Sequence, residues 1–243
     1  MIRKLLVCAL LLAMTSIPAL AEEARAALDP RVQPAVALSF DDGPTEFTQQ
    51  VLDVLAENDC RATFFMVGVN MKLMPEMVKT VYDSGNEMGL HTWKHNDLSQ
   101  MSANAVANNL NACQAIVLEQ TGSTARWLRP PYGKVGPGAY GGATQMGMYI
   151  ATWSVDSRDW SLQNPDKIYK EVMGQVRNGD ILLFHDSHAS TVEALKIILP
   201  ELKARGFQVL TVDELLSFRE TLRSGTHYYH LDLNKLRPME ESQ

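Results

Sequence analysis

Cysteine is scarce in this chain, and no long apolar run occurs beyond its first 21 residues. Three cysteines among 243 residues exclude a disulfide scaffold and a structural zinc site built on cysteine pairs. A membrane span needs about 20 apolar residues, so no second spanning segment is expected. Basic charge is also short. Lys and Arg number 22 against 28 Asp and Glu, a net charge of −6. Without a basic stripe, nucleic acid is excluded as a partner. A long acidic polymer is repelled overall unless the cleft is locally basic. The rest is ordinary for a globular chain: 46% hydrophobic and 21% charged, with a length that suits one large domain or two small ones.

The first 21 residues stand apart. Arg3 and Lys4 precede the apolar run Leu5 to Leu12, and Pro18-Ala19-Leu20-Ala21 offers an Ala-x-Ala cleavage site before Glu22. This pattern predicts a secretory signal peptide over residues 1–21 and a mature chain that begins at Glu22, secreted or held in the cell envelope. The alternative is an uncleaved anchor helix. Cys8 lies inside the run, which argues against a lipoprotein. Cleavage removes Arg3 and Lys4 and no acidic residue, so 20 basic and 28 acidic side chains remain, a net charge of −8. Cys60 and Cys113 also remain. Cys113 shares a helical stripe with Val106, Leu110 and Val117, so two buried thiols are expected rather than a disulfide.

After a linker over residues 22–33, strand and helix patterns alternate. Strands are expected at Ala35 to Phe40, Ala62 to Val67, Glu87 to His91, Arg126 to Leu128, Tyr149 to Val155, Ile181 to Phe184 and Gln208 to Thr211. Helices are expected at Glu46 to Asn58, Pro75 to Ser84, Ser102 to Gln120, Asp166 to Arg177, Ser190 to Ala204 and Asp213 to Leu222. Seven β/α units predict a parallel sheet with helices outside, with a barrel or near-barrel as the natural closure. A doubly wound open sheet is the alternative. Gly133 to Gly147 is glycine-rich and reads as a loop on the active face with some helix. Residues 219–243 read as an appended polar tail.

Asp41, Asp42, His91, Arg129, Asp156, Asp159, His185 and Asp186 all follow strand-like runs. In parallel α/β folds chemistry gathers at the C-terminal strand ends. Asp41-Asp42 are adjacent carboxylates that repel unless a cation intervenes. Alternation points them different ways, so one can bind metal while the other faces substrate. Taken alone, Asp-Asp-Gly is more often a turn. His91 and His95 are four apart, a spacing that sets two imidazoles on one side of a turn. With Asp42 they make a three-ligand site with open positions, suited to a divalent ion. Non-haem iron oxygenases use the same donor types and remain the chemical rival. Arg129, in Arg129-Pro130-Pro131-Tyr132, could steady Asp41 by a forked hydrogen bond, and the Tyr132 amide could face an oxyanion. His185 could be a core histidine or a general acid, with Asp159-Trp160 supplying a partner carboxylate and an apolar wall. Asp156 and Asp186 read as supports.

Together, Ser39-Phe40-Asp41-Asp42-Gly43-Pro44, His91-Thr92-x-x-His95, Arg129-Pro130-Pro131-Tyr132, Asp156-Ser157-Arg158-Asp159-Trp160 and Leu183-Phe184-His185-Asp186 resemble the five motifs of the NodB-type polysaccharide deacetylases, carbohydrate esterase family 4. The resemblance spans about residues 34 to 218. It implies a distorted (β/α)7-8 barrel in a single domain and a hydrolase that removes N-acetyl groups from glycans containing N-acetylglucosamine or N-acetylmuramic acid, most naturally peptidoglycan or chitin-type oligomers. It implies Asp41 as base and His185 as acid, and Asp42, His91 and His95 as ligands of zinc, with cobalt a workable substitute. It further implies that Arg129 steadies Asp41, that Asp159 tunes His185, and that Trp160 and Leu183 line the pocket for the acetyl methyl. O-deacetylation of acetylated xylan and a carbohydrate-binding pseudoenzyme are the competing readings. Ser39 stands where the family often has threonine. Leu90 stands where asparagine or serine is common, and the glycine-rich stretch replaces helix-like sequence.

Overall fold

The computed structural model describes residues 29–236. The predicted signal peptide, most of the expected linker and the last seven residues lie outside that range. Nine strands form one sheet: β1 (Ala35–Asp41), β2 (Thr63–Met66), β3 (Glu87–Leu90), β4 (Trp127–Leu128), β5 (Tyr149–Ala151), β6 (Val155–Asp156), β7 (Ile181–His185), β8 (Gln208–Leu210) and β9 (His227–Tyr228). Their order is β6-β7-β1-β2-β3-β4-β5-β9, and β8 pairs with the foot of β1. Every pairing is parallel.

The helices are α1 (Thr48–Glu57), α2 (Gly68–Leu73), α3 (Pro75–Asp83), α4 (Ala103–Thr121), α5 (Pro137–Gln145), α6 (Asp159–Leu162), α7 (Pro165–Met173), α8 (Ala189–Ala204) and α9 (Val212–Leu216). None is long and apolar enough to cross a membrane.

The sheet separates two apolar cores, as a barrel requires. Outside, Leu38, Phe40, Phe64, Leu182 and Phe184 pack under the helices. Inside, Ala35, Ala37, Phe65, Trp127 and Ile181 meet Val212, Leu215 and Leu216 of α9, so that helix plugs the bottom of the barrel. Small side chains on the inner face of β1 and Gly89 on β3 leave room for the Phe65 ring, which a side chain at Gly89 would strike. The plug is fastened by a capping box, in which Thr211 accepts from the Glu214 N–H and the Glu214 carboxylate accepts from the Thr211 N–H. The doubly wound alternative is thereby set aside.

Two readings of the sequence need correction. Tyr149 to Val155 is two strands, because the chain leaves the sheet between Ala151 and Val155. The glycine-rich stretch carries the expected helix, α5, packed against α4. Its Gly138, Gly141 and Gly142 face Met101, Ala103 and Val106, and an added Cβ at Gly142 would lie 2.5 Å from Val106 Cγ1. The glycines are there for close approach, not flexibility.

The segment after Phe218 is also not appended. β9 pairs with β5, Tyr228 and Leu231 are buried, and the Leu231 N–H donates to Gly179 O at 2.7 Å. The segment therefore runs from one sheet edge to the foot of β7. Among the described residues, Cys60 and Cys113 are free and buried, as expected, and burial pushes the Cys113 thiol up to about 12.

Candidate active site

The top of the sheet brings the predicted residues together. Asp41 closes β1 and Asp42 follows with φ of 74°. That left-handed turn aims two neighbouring carboxylates at different partners. His91 leaves β3 and His95 lies one turn later, where Thr92 and His95 also have positive φ, 65° and 55°. With Tyr132 at 61° and Arg158 at 54°, five of the seven non-glycine residues with positive φ among the described residues sit in these loops. Such strain collects where function dictates geometry.

Asp42, His91 and His95 present ligand atoms that all lie within 4.8 Å of one another. Asp42 Oδ1 is 3.6 Å from His91 Nε2 and 3.5 Å from His95 Nε2. This oxygen is buried and accepts no hydrogen bond, a costly arrangement unless a cation completes it. His91 Nδ1 sits 2.7 Å from the Arg129 carbonyl oxygen, which accepts a hydrogen bond from Nδ1–H and so leaves the Nε2 lone pair toward the cluster. Burial holds His91 below the ordinary imidazole range, against the opposing pull of Asp41 and Asp42. A neutral imidazole is the form that binds metal. The donor set, one carboxylate and two imidazoles, therefore fits a divalent ion.

Asp41 is held from behind. Arg129 is fully buried and donates to Asp41 Oδ1 and Ser39 Oγ, both at 2.8 Å. Its other donors reach Ala151 O at 3.2 Å and Thr152 O at 3.0 Å. The guanidinium also lies over the Phe65 ring, 4.0 Å from its centroid. Fixed on several sides, it fixes Asp41, whose Oδ2 lies 3.6 Å from His91 Nε2.

Across β1, His185 ends β7. Its Nδ1 is 2.8 Å from Asp159 Oδ1, and its backbone N–H donates to Asp159 Oδ2 at 2.8 Å. Thr191 Oγ and the Trp160 N–H complete the carboxylate's shell. Burial opposes charge on His185, but the bond to Asp159 and the charges of Asp41 and Asp42 outweigh it and carry the ring up to about 9. Burial likewise works against the Asp159 anion, and its bond to His185 overrides this and lowers it.

Tyr132 packs the edge of its ring on His95, with centroids 4.6 Å apart, and is 62% exposed. Trp160 is 55% exposed, whereas Leu183 is buried. Trp160 thus forms an open rim rather than a closed pocket wall. A cleft of about 490 Å³ beside the ligand cluster is lined by Asp42, Val67, Val69, Asn70, Lys94 and His95.

Sequence reasoning missed Asn70 and Thr191. Asn70 donates to Asp42 O at 2.8 Å from α2, a helix too short to show a periodic pattern. Thr191 sits in the first turn of α8 and looks like any helix-start threonine.

This geometry sets three side chains able to hold a divalent ion between a carboxylate held by Arg129 and an imidazole held by Asp159. The polysaccharide deacetylase family profile matches residues 29–151, and the chain belongs to that family. It is 37% identical over 195 residues to the peptidoglycan-N-acetylglucosamine deacetylase PgdA of Listeria monocytogenes, covering 80% of this chain and 41% of that protein. This chain therefore corresponds to about two fifths of the Listeria protein's length. It is 36% identical to the chitooligosaccharide deacetylase of Sinorhizobium fredii, covering 74% of this chain and 91% of that one. The solved structure of a family 4 acetyl xylan esterase from Clostridium thermocellum, in complex with cobalt, superposes with a TM-score of 0.76 at 28% identity, over 82% of this chain and all of that one.

Proposed function

We propose that this protein is an exported, metal-dependent hydrolase that removes N-acetyl groups from a glycan containing N-acetylglucosamine or N-acetylmuramic acid, with peptidoglycan first and chitin-type oligomers second. One observation carries this. A carboxylate clamped by a buried arginine and an imidazole clamped by a buried carboxylate flank the same three-ligand cluster. An iron oxygenase needs neither clamp. The intact set also speaks against a pseudoenzyme.

Asp42, His91 and His95 hold the ion, for which zinc is the best match and cobalt a substitute. When bound, the ion supplies Lewis acidity toward the acetyl carbonyl and lowers the pKa of water. Asp41 accepts the proton of the attacking water, with Arg129 holding it in place. The Tyr132 amide faces the oxyanion that develops as the carbonyl carbon becomes tetrahedral. His185, protonated near neutrality, gives its Nε2 proton to the leaving amine as the C–N bond breaks. Acetate and a free amino sugar result. Trp160 and Leu183 bound the space for the acetyl methyl.

Names of relatives support the N-acetyl reading: a peptidoglycan-N-acetylglucosamine deacetylase and a chitooligosaccharide deacetylase. The acetyl xylan esterase with the same fold keeps O-deacetylation as the second reading. Acetate release from peptidoglycan, chitin oligomers and acetyl xylan, after chelation and then with zinc or cobalt restored, separates them. Release from the first two and not the third is expected. Release only from acetyl xylan overturns the N-acetyl assignment.

A further inference from the structure

Asp186 follows the proposed acid His185 and belongs to no step above. It is fully buried. Its Oδ2 accepts from Thr48 Oγ, and its backbone oxygen accepts from Thr45 Oγ. Thr48 Oγ in turn accepts from the Thr45 N–H at 2.7 Å. Both threonines sit just beyond Asp41-Asp42-Gly43-Pro44, at the start of α1. Two ties therefore cross from the β7 loop to the β1 loop. Gly43 closes the gap between them. A Cβ there would lie 2.5 Å from Asp186 Oδ2 and 2.7 Å from Oδ1, so only glycine lets the carboxyl reach across. Asp186 Oδ1 has no hydrogen-bond partner. A buried carboxyl with one oxygen unsatisfied is a poor stabiliser by itself, which points to positioning as its use.

We propose that Asp186, with Thr48, Thr45 and the bare face of Gly43, is a latch that sets the separation between the acid loop and the base-and-ligand loop. β1 and β7 are neighbours in register, with Asp41 opposite His185, but the ladder ends there. Asp42 and the turn that aims it lie beyond the last paired residues. The latch is what ties the two loops past that point. Asp186 is a positioning residue, acting through His185 on one side and Asp41-Asp42 on the other. This rests on the deacetylase reading for its kinetic test.

The test compares Thr48→Val and Thr48→Ser as full-length protein. Valine keeps the shape and removes the donor, whereas serine keeps the donor. Thr48→Val should lower kcat at least ~10-fold, the scale on which misplaced catalytic groups are felt, with KM and zinc content close to the parent's and a lowered melting temperature, because the buried Asp186 carboxyl loses its donor. Thr48→Ser should restore kcat, and Asp186→Asn, which preserves the acceptor, should stay near the parent. If Thr48→Val does not fold, Thr45→Val, at a half-buried site, removes the second tie and should show a smaller fall of the same kind. A folded Thr48→Val with parental kcat overturns the latch, as does a loss that serine does not repair. If the parent releases no acetate, the deacetylase reading fails and the latch is judged without turnover. The His185 ring signals in NMR should then shift in Thr48→Val and not in Thr48→Ser. Unshifted signals overturn it.

Discussion

Asp41 and Asp42 are one bond apart and chemically identical, yet the fold gives them opposite surroundings. Asp41 takes a hydrogen bond from Arg129, while Asp42 Oδ1 takes none and faces two imidazoles. Asp41→Asn should therefore lower acetate release at least ~100-fold, the range of general-base catalysis, with metal retained. His91→Ala should lose the metal itself, and metal analysis on the same preparations separates the two. His185 yields a pH prediction. Its pKa is raised to about 9 in the folded chain from an ordinary 6.5, so folding binds its proton more tightly. The stability it contributes is complete below about 6.5 and is lost as pH rises through about 9. A denaturation series in the metal-free protein should show that decline, and His185→Gln should flatten it. The spacing of Asp41, Asp42, His91 and His95 was legible in the sequence because histidines and paired carboxylates are rare at strand ends. The support from Asn70 and Thr191 was not, because those residue types are common and their partners are far away along the chain.

The long elements were legible because their apolar periods were intact. α4 starts after Ser102, whose hydroxyl accepts from the Ala105 N–H, and ends at Gly122 with φ of 70°, close to the expected limits. Short elements were not: α2, α6 and β9 contain too few residues to show a period. α5 was legible only in part. Its glycines read as loop, but they allow helix contact. Gly138→Ala should drive a methyl into the Met101 carbonyl and cost about 1–3 kcal/mol. At this chain length that is a fall of roughly 2–12 °C in Tm. Gly122→Ala, where an added Cβ meets nothing, should cost only the ~1–2 kcal/mol of a left-handed residue. Thermal unfolding of the pair separates clash from backbone strain.

At the scale of the molecule, one sheet carries the site on its upper rim and the α9 plug at its foot. The segment beyond Phe218 is part of that plan. Ile150 and Thr152 donate to Thr226 and Tyr228, and the Ala151 and Thr152 carbonyls receive Arg129. β9 thereby steadies the strand that steadies Arg129. Its two residues gave no strand signal, so its place follows only from pairing. A chain ending at Phe218 should unfold less cooperatively and lose activity, which calorimetry and acetate release on that truncation check.

The central claim is that the cluster at the barrel top hydrolyses N-acetyl groups with a bound divalent ion. The most direct measurement is acetate released from peptidoglycan or chitin oligomers by the purified parent and Asp41→Asn, each assayed for zinc on the same sample. The account predicts about one zinc per chain in both and acetate from the parent alone. Equal release from both, or none from a zinc-loaded parent, would contradict it.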